Sequence, residues 1–383
     1  MTNPSRVVAG ERVLGLVELD RLIAVLCERG YGVIGPTRRD GAIVYDEIEG
    51  ASDLPRGMSD EQAPGRYRLS RRADDALFGH VVGPHSWKRF LHPPALRLFG
   101  ASRDGKAFAV SPPDGAPPPR YAFVGVRPCD LAAIARQDRI FLGGPFVDPT
   151  YRALREATFV VAVQCGEARA SCFCASTGTG PRAESGFDVA LTELIVDASP
   201  EYLAEVATDR GAALVAKVGA RKAGPEDLER AAAASRRAES QITRRLETGG
   251  LQEVLAASRE SARWEETAKR CLSCANCTMV CPTCFCTTVE DTTDLTGDHA
   301  ERWRRWDSCF TMDFSYIHGG SIRRSAASRY RQWLTHKLST WWDQFGASGC
   351  VGCGRCITWC PVGIDLTEEA AVLRKAARPE GTA

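Results

Sequence analysis

Two runs of cysteines with identical spacing dominate the chemistry that this sequence can perform. Each run has the pattern Cys-x-x-Cys-x-x-Cys-x-x-x-Cys-Pro. The first run comprises Cys271, Cys274, Cys277 and Cys281, and the second comprises Cys350, Cys353, Cys356 and Cys360. Pairs of such runs are how one ferredoxin-type chain binds two [4Fe–4S] clusters. The sequence therefore predicts two clusters, with these eight thiolates as the metal ligands.

The fourth cysteine of each run is predicted to bind the cluster of the other run. In such pairs the first three thiolates hold one cluster, and the fourth reaches across to its neighbour. The ligands expected for one cluster are Cys271, Cys274, Cys277 and Cys360. The ligands expected for the other are Cys350, Cys353, Cys356 and Cys281. This crossing requires the two runs to fold against each other.

Zinc and disulfide bonds are the alternatives for these cysteines. Zinc usually takes paired Cys-x-x-Cys units, and disulfides belong to oxidising compartments. Residues 1–10 lack the basic head and apolar run of a secretory signal, and no apolar stretch is long enough to span a bilayer. The charge is balanced, with 49 Lys and Arg against 48 Asp and Glu, which gives no case for nucleic-acid binding. We therefore expect a cytoplasmic iron–sulfur protein without membrane or nucleic-acid partners.

A second group of cysteines lies where predicted parallel strands end, at the edge of the sheet where ligands tend to bind. Its members are Cys129, Cys165, Cys172 and Cys174. These thiols either converge on a third iron–sulfur cluster or are buried residues that only fill space.

The remaining cysteines give weaker signals. Cys284, Cys286 and Cys309 either pack around the clusters, which is the favoured interpretation, or supply a further metal or redox pair. Cys27 lies on the apolar face of a predicted helix and is expected to be a small core residue. Arg355 is the one charged residue inside the second run, and its charge should raise the reduction potential of the nearby cluster.

The predicted fold is an α/β N-terminal region followed by a mainly helical, dicluster ferredoxin-like domain with a long insertion between the two runs. We divide the chain into an α+β subdomain (1–115), an α/β subdomain (116–223), a helical connector (224–260) and the dicluster domain (261–383). Prolines concentrated in residues 111–120 indicate a connector between the first two.

Continuous apolar runs predict strands that are buried on both faces of a sheet. They cover residues 121–126 and 159–165, with a helix over 130–137 and further strands over 193–197 and 213–218. Helices are predicted from Pro225 to about residue 249, over 251–270, along 322–345 within the insertion, and from about residue 365 to Ala377.

Several motifs resemble those of a known family. They are Gly-Val-Arg-Pro-Cys-Asp-Leu (125–131), Ser-Cys-Phe-Cys (171–174), Gly-Thr-Gly-Pro (178–181), Gly-Phe-Asp-Val-Ala-Leu-Thr (186–192), Cys-Pro-Thr-Cys-Phe-Cys (281–286), Arg-Trp-Asp-Ser-Cys (305–309) and Gly-Cys-Val-Gly-Cys-Gly-Arg-Cys (349–356). With them the sequence resembles iron–sulfur subunits of soluble multi-subunit reductases. These are the beta subunit of cytoplasmic NADP-linked [NiFe] hydrogenases (sulfhydrogenases) and the corresponding iron–sulfur subunit of anaerobic sulfite reductase.

The resemblance implies an electron-transfer subunit without an active site of its own. Its partners would be a catalytic subunit, either a [NiFe] hydrogenase or a sulfite reductase, together with a flavin- and NAD(P)-binding subunit. Each of the eight cysteines in the two runs matches a cluster-ligand position of the family motif. The alternative is a self-contained iron–sulfur oxidoreductase with a flavin or redox site in the N-terminal α/β region, so whether the chain is itself an enzyme stays open.

Overall fold

The computed structural model describes residues 9–112 and 118–377. Its strands are β1 (Ala9–Leu14), β2 (Gly32–Arg39), β3 (Ala42–Glu47), β4 (Met58–Ala63), β5 (Arg66–Arg71), β6 (Ala95–Asp104), β7 (Ala107–Ser111), β8 (Tyr121–Val126), β9 (Phe159–Val163), β10 (Val189–Val196), β11 (Ser199–Val206), β12 (Arg221–Lys222), β13 (Thr287–Thr293), β14 (His299–Trp306), β15 (Tyr316–Ile317) and β16 (Gly320–Ser321).

The α-helices are α1 (Leu16–Glu28), α2 (Lys88–Leu91), α3 (Pro128–Phe141), α4 (Pro149–Ala157), α5 (Asp209–Val218), α6 (Pro225–Gln241), α7 (Leu251–Ala257), α8 (Arg263–Ala268), α9 (Asn276–Met279), α10 (Ala326–Thr335), α11 (Trp341–Phe345), α12 (Arg355–Thr358) and α13 (Leu366–Ala377). A π-helical turn, His336–Thr340, joins α10 to α11.

An eight-stranded sheet with the order β12-β1-β11-β10-β9-β8-β2-β3 is the centre of the N-terminal region. Its four strands β10, β9, β8 and β2 are mutually parallel, and the remaining pairings are antiparallel. Alternate residues of β8 pack into cores on opposite faces, with Val124 on one side and Phe123 on the other. The strands predicted from the two apolar runs are thus present, and their continuous apolar character follows from burial on both faces.

A bulge near the end of β8 directs the chain into α3. The register with β9 shifts between Val124 and Val126, and Gly125 adopts a φ of +92°. A Cβ atom at Gly125 would lie 3.1 Å from Cδ of Pro36, in a backbone conformation that L side chains rarely adopt. The glycine of the Gly-Val-Arg-Pro-Cys-Asp-Leu motif is therefore required by the turn that presents the cysteine.

Helices cover both faces of the large sheet, α1 and α5 on one and α3 and α4 on the other. The strand predicted over residues 213–218 is wrong, because this segment belongs to α5. The Thr208 hydroxyl caps α5 by accepting a hydrogen bond from the N–H of Gly211, and Gly219 ends it with a φ of +81°. The expectation for Cys27 is also wrong: this cysteine is exposed on α1.

The C-terminal part packs α7, α8, α10 and α13 around an aromatic core that includes Trp264, Tyr330 and Trp333. The helix predicted to reach residue 249 ends at Gln241, and the one predicted over 251–270 is divided into α7 and α8. The insertion between the cysteine runs is not wholly helical. Its strands β13 and β14 join β6 and β7 in a four-stranded antiparallel sheet, so the insertion is anchored to the N-terminal region.

The large sheet takes strands from both sides of the boundary predicted between residues 115 and 116, and the division into domains stays a prediction. Residues 113–117 of the predicted proline-rich connector lie outside the described residues. No helix in the described part of the chain is both long enough and apolar enough to cross a membrane.

Candidate iron–sulfur sites

One cavity collects cysteines from both runs. Five cysteines line it: Cys356 and the four thiols that we call site 1, which are Cys271, Cys274, Cys277 and Cys360. The first three lie on the loop after α8 and in α9, whereas Cys360 follows α12. Apolar side chains such as Phe310 and Trp333 complete the wall of a cavity of about 30 Å³. The structure thus places the last cysteine of the second run beside the first three of the first run.

The cysteines complementary to those of site 1, which we call site 2, are Cys350, Cys353, Cys356 and Cys281. These cysteines are close enough for the charge of one thiolate to change the pKa of another. Burial, followed by the charges of Cys350, Cys353 and Cys281, raises the pKa of Cys356 well above its usual range. Cys356 also lines the cavity of site 1. The two sites are therefore neighbours that share a wall.

Backbone amides point at sulfur atoms of both sites. The N–H of Ser273 donates to Sγ of Cys271 at 3.4 Å, and the N–H of Ile364 donates to Sγ of Cys360 at 3.3 Å. In site 2 the N–H of Gly352 donates to Sγ of Cys350 at 3.4 Å. Such bonds stabilise negative charge on sulfur and tune the potential of a bound cluster. The donor set of thiols, amides and apolar walls fits iron–sulfur clusters.

A buried lysine of the π-helical turn also faces site 2. Lys337 is 3% exposed, and its Nζ donates to Sγ of Cys281 at 3.2 Å and to Sγ of Cys284 at 3.5 Å. Burial alone would lower the pKa of Lys337, but these two sulfurs raise it well above its usual range. Sequence reasoning missed this residue, because the π-helical turn that directs it inward has no clear sequence signal.

We expect Lys337→Met to lower the reduction potential of the cluster at site 2 by about 50–100 mV, because a lost positive charge makes an added electron less favourable. A potentiometric titration followed by electron paramagnetic resonance measures the shift. Lys217→Met is the matched control, because Lys217 is exposed on α5. Equal potentials in the two variants would show that the ammonium group of Lys337 does not act on the cluster.

Three further thiols lie near the two sites: Cys284 beside Cys281 of site 2, and Cys286 beside Cys309, whose charge interactions include Cys277 of site 1. The Cys284 thiol and the Lys337 ammonium hold the pKa of Cys281 well below its usual range. A hydrogen bond from Cys309 lowers the pKa of Cys286 to about 7. The structure thus brings these three cysteines next to the predicted ligands, and their use as a redox pair stays a prediction. Across residues 9–112 and 118–377, no three His, Cys, Asp or Glu side chains are close enough together to hold a single metal ion.

The second group of cysteines also converges. Cys129, Cys165, Cys172 and Cys174, which we call site 3, line one small cavity of about 20 Å³. Cys353 of site 2 lines the same cavity. The sheet edge predicted from the sequence is therefore where these thiols meet.

A buried ion pair links the motif of site 3 to the second run. Nη1 and Nη2 of Arg355 donate to Oδ1 and Oδ2 of Asp130, at 2.8 and 2.9 Å, and both residues are at most 1% exposed. Nε of Arg355 also donates to the carbonyl of Gly83 at 3.1 Å. Asp130 directly follows Cys129, and Arg355 directly precedes Cys356. Sequence reasoning treated Arg355 as an isolated charge and missed this partner.

The α/β region and the convergent thiols define an iron–sulfur protein of the dicluster type. A family model described as a 4Fe-4S dicluster domain matches residues 270–364. Subunit beta of sulfhydrogenase 2 from Pyrococcus furiosus is 33% identical over 250 residues, which cover 64% of this chain and 72% of that protein. This chain belongs to the family of sulfhydrogenase beta subunits. No solved structure matches it.

These findings confirm the resemblance drawn from the motifs. They also confirm that an α/β region precedes a C-terminal domain for [4Fe–4S] clusters. The chain is accordingly an iron–sulfur protein that serves electron transfer.

Proposed function

We propose that this chain relays single electrons through two [4Fe–4S] clusters, one at site 1 and one at site 2. The relay would connect a flavin- and NAD(P)-binding subunit on one side with a catalytic subunit on the other. One observation carries the proposal: Cys360 of the second run lines the same cavity as Cys271, Cys274 and Cys277 of the first. A bound cluster of this type accepts and gives up one electron at a time.

The side chains of this chain would hold the two clusters close together and set their potentials. Cys356 lies between the two sites, so electrons need to cross only a short distance inside one fold. Amide donors and Lys337 favour negative charge at the sulfurs, and apolar walls such as Phe310 keep water from site 1. These contacts support a rigid cage that changes little between oxidation states.

The catalytic partner is a [NiFe] hydrogenase or a sulfite reductase subunit. The relative from P. furiosus is named as one subunit of a sulfhydrogenase, which supports assembly with other chains. In this proposal the chain itself is not catalytic, acts in the cytoplasm, and binds neither nucleic acid nor membrane.

Anaerobic purification with the partners retained tests the proposal. We expect the complex to contain either nickel or siroheme, and we expect NADPH to reduce the clusters of this chain only when the flavin subunit is present. Redox titration followed by electron paramagnetic resonance should resolve two ferredoxin-type signals assigned to this chain.

Two outcomes would contradict the proposal. Stoichiometric flavin on the isolated full chain, together with direct reduction by NADPH, would favour the self-contained oxidoreductase instead. Anaerobically prepared protein that contains zinc and no iron would exclude the relay altogether.

A further inference from the structure

The thiols of site 3 come from three separate segments that the topology brings to one edge of the sheet. Cys129 lies in the first turn of α3, directly after β8. Cys165 follows β9, the parallel neighbour of β8, and Cys172 and Cys174 lie on the loop after it. The carboxyl ends of neighbouring parallel strands are where α/β sheets usually bind ligands.

The four thiols surround a cavity instead of filling it. Apolar side chains that include Val82 and Ile242 form the rest of the wall, and the cavity is close in volume to that of site 1. The space between them is small and otherwise apolar, so the case for a bound group is the convergence of four thiols from separate segments on one point.

A buried cation faces the same cavity. Arg127 is 3% exposed and lines the cavity together with Cys165. Its guanidinium also donates to the backbone carbonyls of Phe78 and His80, at 2.8 and 2.6 Å, and more weakly to that of Gln164. Among the described residues no carboxylate forms an ion pair with it.

The other charged group of the cavity wall is already neutralised. Glu167 binds Arg72 at 2.6 Å and Arg169 at 2.9 Å. The carboxylates that the charge of Arg127 also reaches, Asp60 and Glu193, form no salt bridge with it and hydrogen-bond other groups. An anion bound in the cavity would compensate this buried positive charge at closer range. A [4Fe–4S] cluster held by four thiolates is such an anion, since four negative sulfurs outweigh its 2+ core.

The loop that carries two of the thiols is fitted against the second cysteine run. The N–H of Phe173 donates to the carbonyl of Gly352 at 2.9 Å, and the hydroxyl of Thr179 donates to the carbonyl of Val351 at 2.7 Å. A Cβ atom at Gly352, whose φ is +61°, would lie 2.6 Å from Cα of Cys174. Site 3 is thus held in direct contact with the backbone of site 2.

We propose that Cys129, Cys165, Cys172 and Cys174 bind a third [4Fe–4S] cluster, which adjoins site 2 through Cys353. The three sites then form a row, because Cys356 lies between sites 1 and 2, and Cys353 lies between sites 2 and 3. A single electron passing from site 2 to site 3 oxidises one and reduces the other, with no transfer of protons or atoms. The place of site 3 in an electron path rests on the proposed function, whereas its occupation by a cluster does not.

The test compares iron bound per chain in anaerobically purified complexes that contain the full chain. The variants are the wild type, the double variant Cys172→Ala/Cys174→Ala, and the control Cys27→Ala, which changes an exposed thiol of α1. We expect the double variant to lose about four irons per chain relative to the wild type, with the signals of sites 1 and 2 retained. The control should match the wild type.

The proposal of a third cluster would be overturned if the double variant and the wild type bound equal amounts of iron per chain. It would also be overturned if the double variant lost bound zinc and kept all of its iron. If the double variant does not fold, iron bound by the reconstituted wild-type chain alone decides: about twelve per chain supports site 3, and about eight overturns it. Eight irons would leave the two-site relay intact. Twelve irons without electron exchange with the flavin subunit would instead overturn the relay and leave site 3 in place.

Discussion

Cys360→Ala is expected to destroy the cluster at site 1, although Cys360 belongs to the second cysteine run. Its sulfur completes the cavity formed by Cys271, Cys274 and Cys277. Losing one of four thiolate ligands opens a cluster to loss of iron, and in a dicluster protein the fourth ligand comes from the other run. The measurement is iron content together with electron paramagnetic resonance of the dithionite-reduced protein, with a loss of up to about four irons per chain.

Three comparison variants make this experiment decisive. Cys274→Ala should remove the same signal as Cys360→Ala, because both thiols line site 1. Cys353→Ala should remove the other signal, and Cys27→Ala should remove neither. If Cys360→Ala shared its spectrum with Cys353→Ala, each run would bind its own cluster and the crossed arrangement would be wrong.

The second large effect is expected at the buried pair of Asp130 and Arg355. Arg355→Met leaves the Asp130 carboxylate at the interface between the α/β region and the second run without its two charged hydrogen bonds. Breaking a fully buried ion pair by removing one partner typically costs about 3–5 kcal/mol of folding free energy. We expect the midpoint of anaerobic thermal unfolding to fall by roughly 5–10 °C.

The double variant Asp130→Leu/Arg355→Met separates the pair from its environment. Replacing both charges with apolar groups is often close to neutral, so the double variant should be more stable than either single variant. If the decrease in unfolding midpoint of the double variant equalled the sum of the decreases of the two single variants, the two residues would not interact.

The ion pair also changes what we expect for the effect of Arg355 on the reduction potential of the cluster at site 2. A guanidinium paired with a carboxylate presents little net charge, so Arg355 raises the potential less than an isolated cation would. Arg355→Met should still lower it, chiefly because the charge of Asp130 is no longer compensated. The double variant should restore a potential near that of the wild type.

Local spacing alone led to the crossed ligand sets, because the rule depends only on the separation of residues within each run. Cys360 lines one cavity with the first three thiols of the first run, and so does Cys356, while the ligand sets themselves stay a prediction. The buried strands were predictable for a similar reason, since a continuous apolar run of strand length needs a sheet covered on both faces. The convergence at site 3 was foreseen only as one alternative, because it depends on which strands are neighbours.

Other features depend on contacts between distant segments, which no local pattern encodes. The partner of Arg355 lies in α3, and Lys337 reaches site 2 only because a π-helical turn interrupts α10 and α11. The mistaken strand at residues 213–218 has a different cause. A short apolar run fits a strand as well as one face of a helix, and the cap at Thr208 and the stop at Gly219 were the signals that would have decided it.

The position of Cys360 also constrains how the protein is made. A ribosome that has synthesised only the first run offers an incoming cluster three of the four thiols of site 1, and likewise just Cys281 of site 2. With the proposed crossed ligand sets, neither site is complete until the second run has emerged and docked. Cofactor delivery would then follow near-complete translation, and a nascent chain stalled before residue 350 would present open thiols to oxidants.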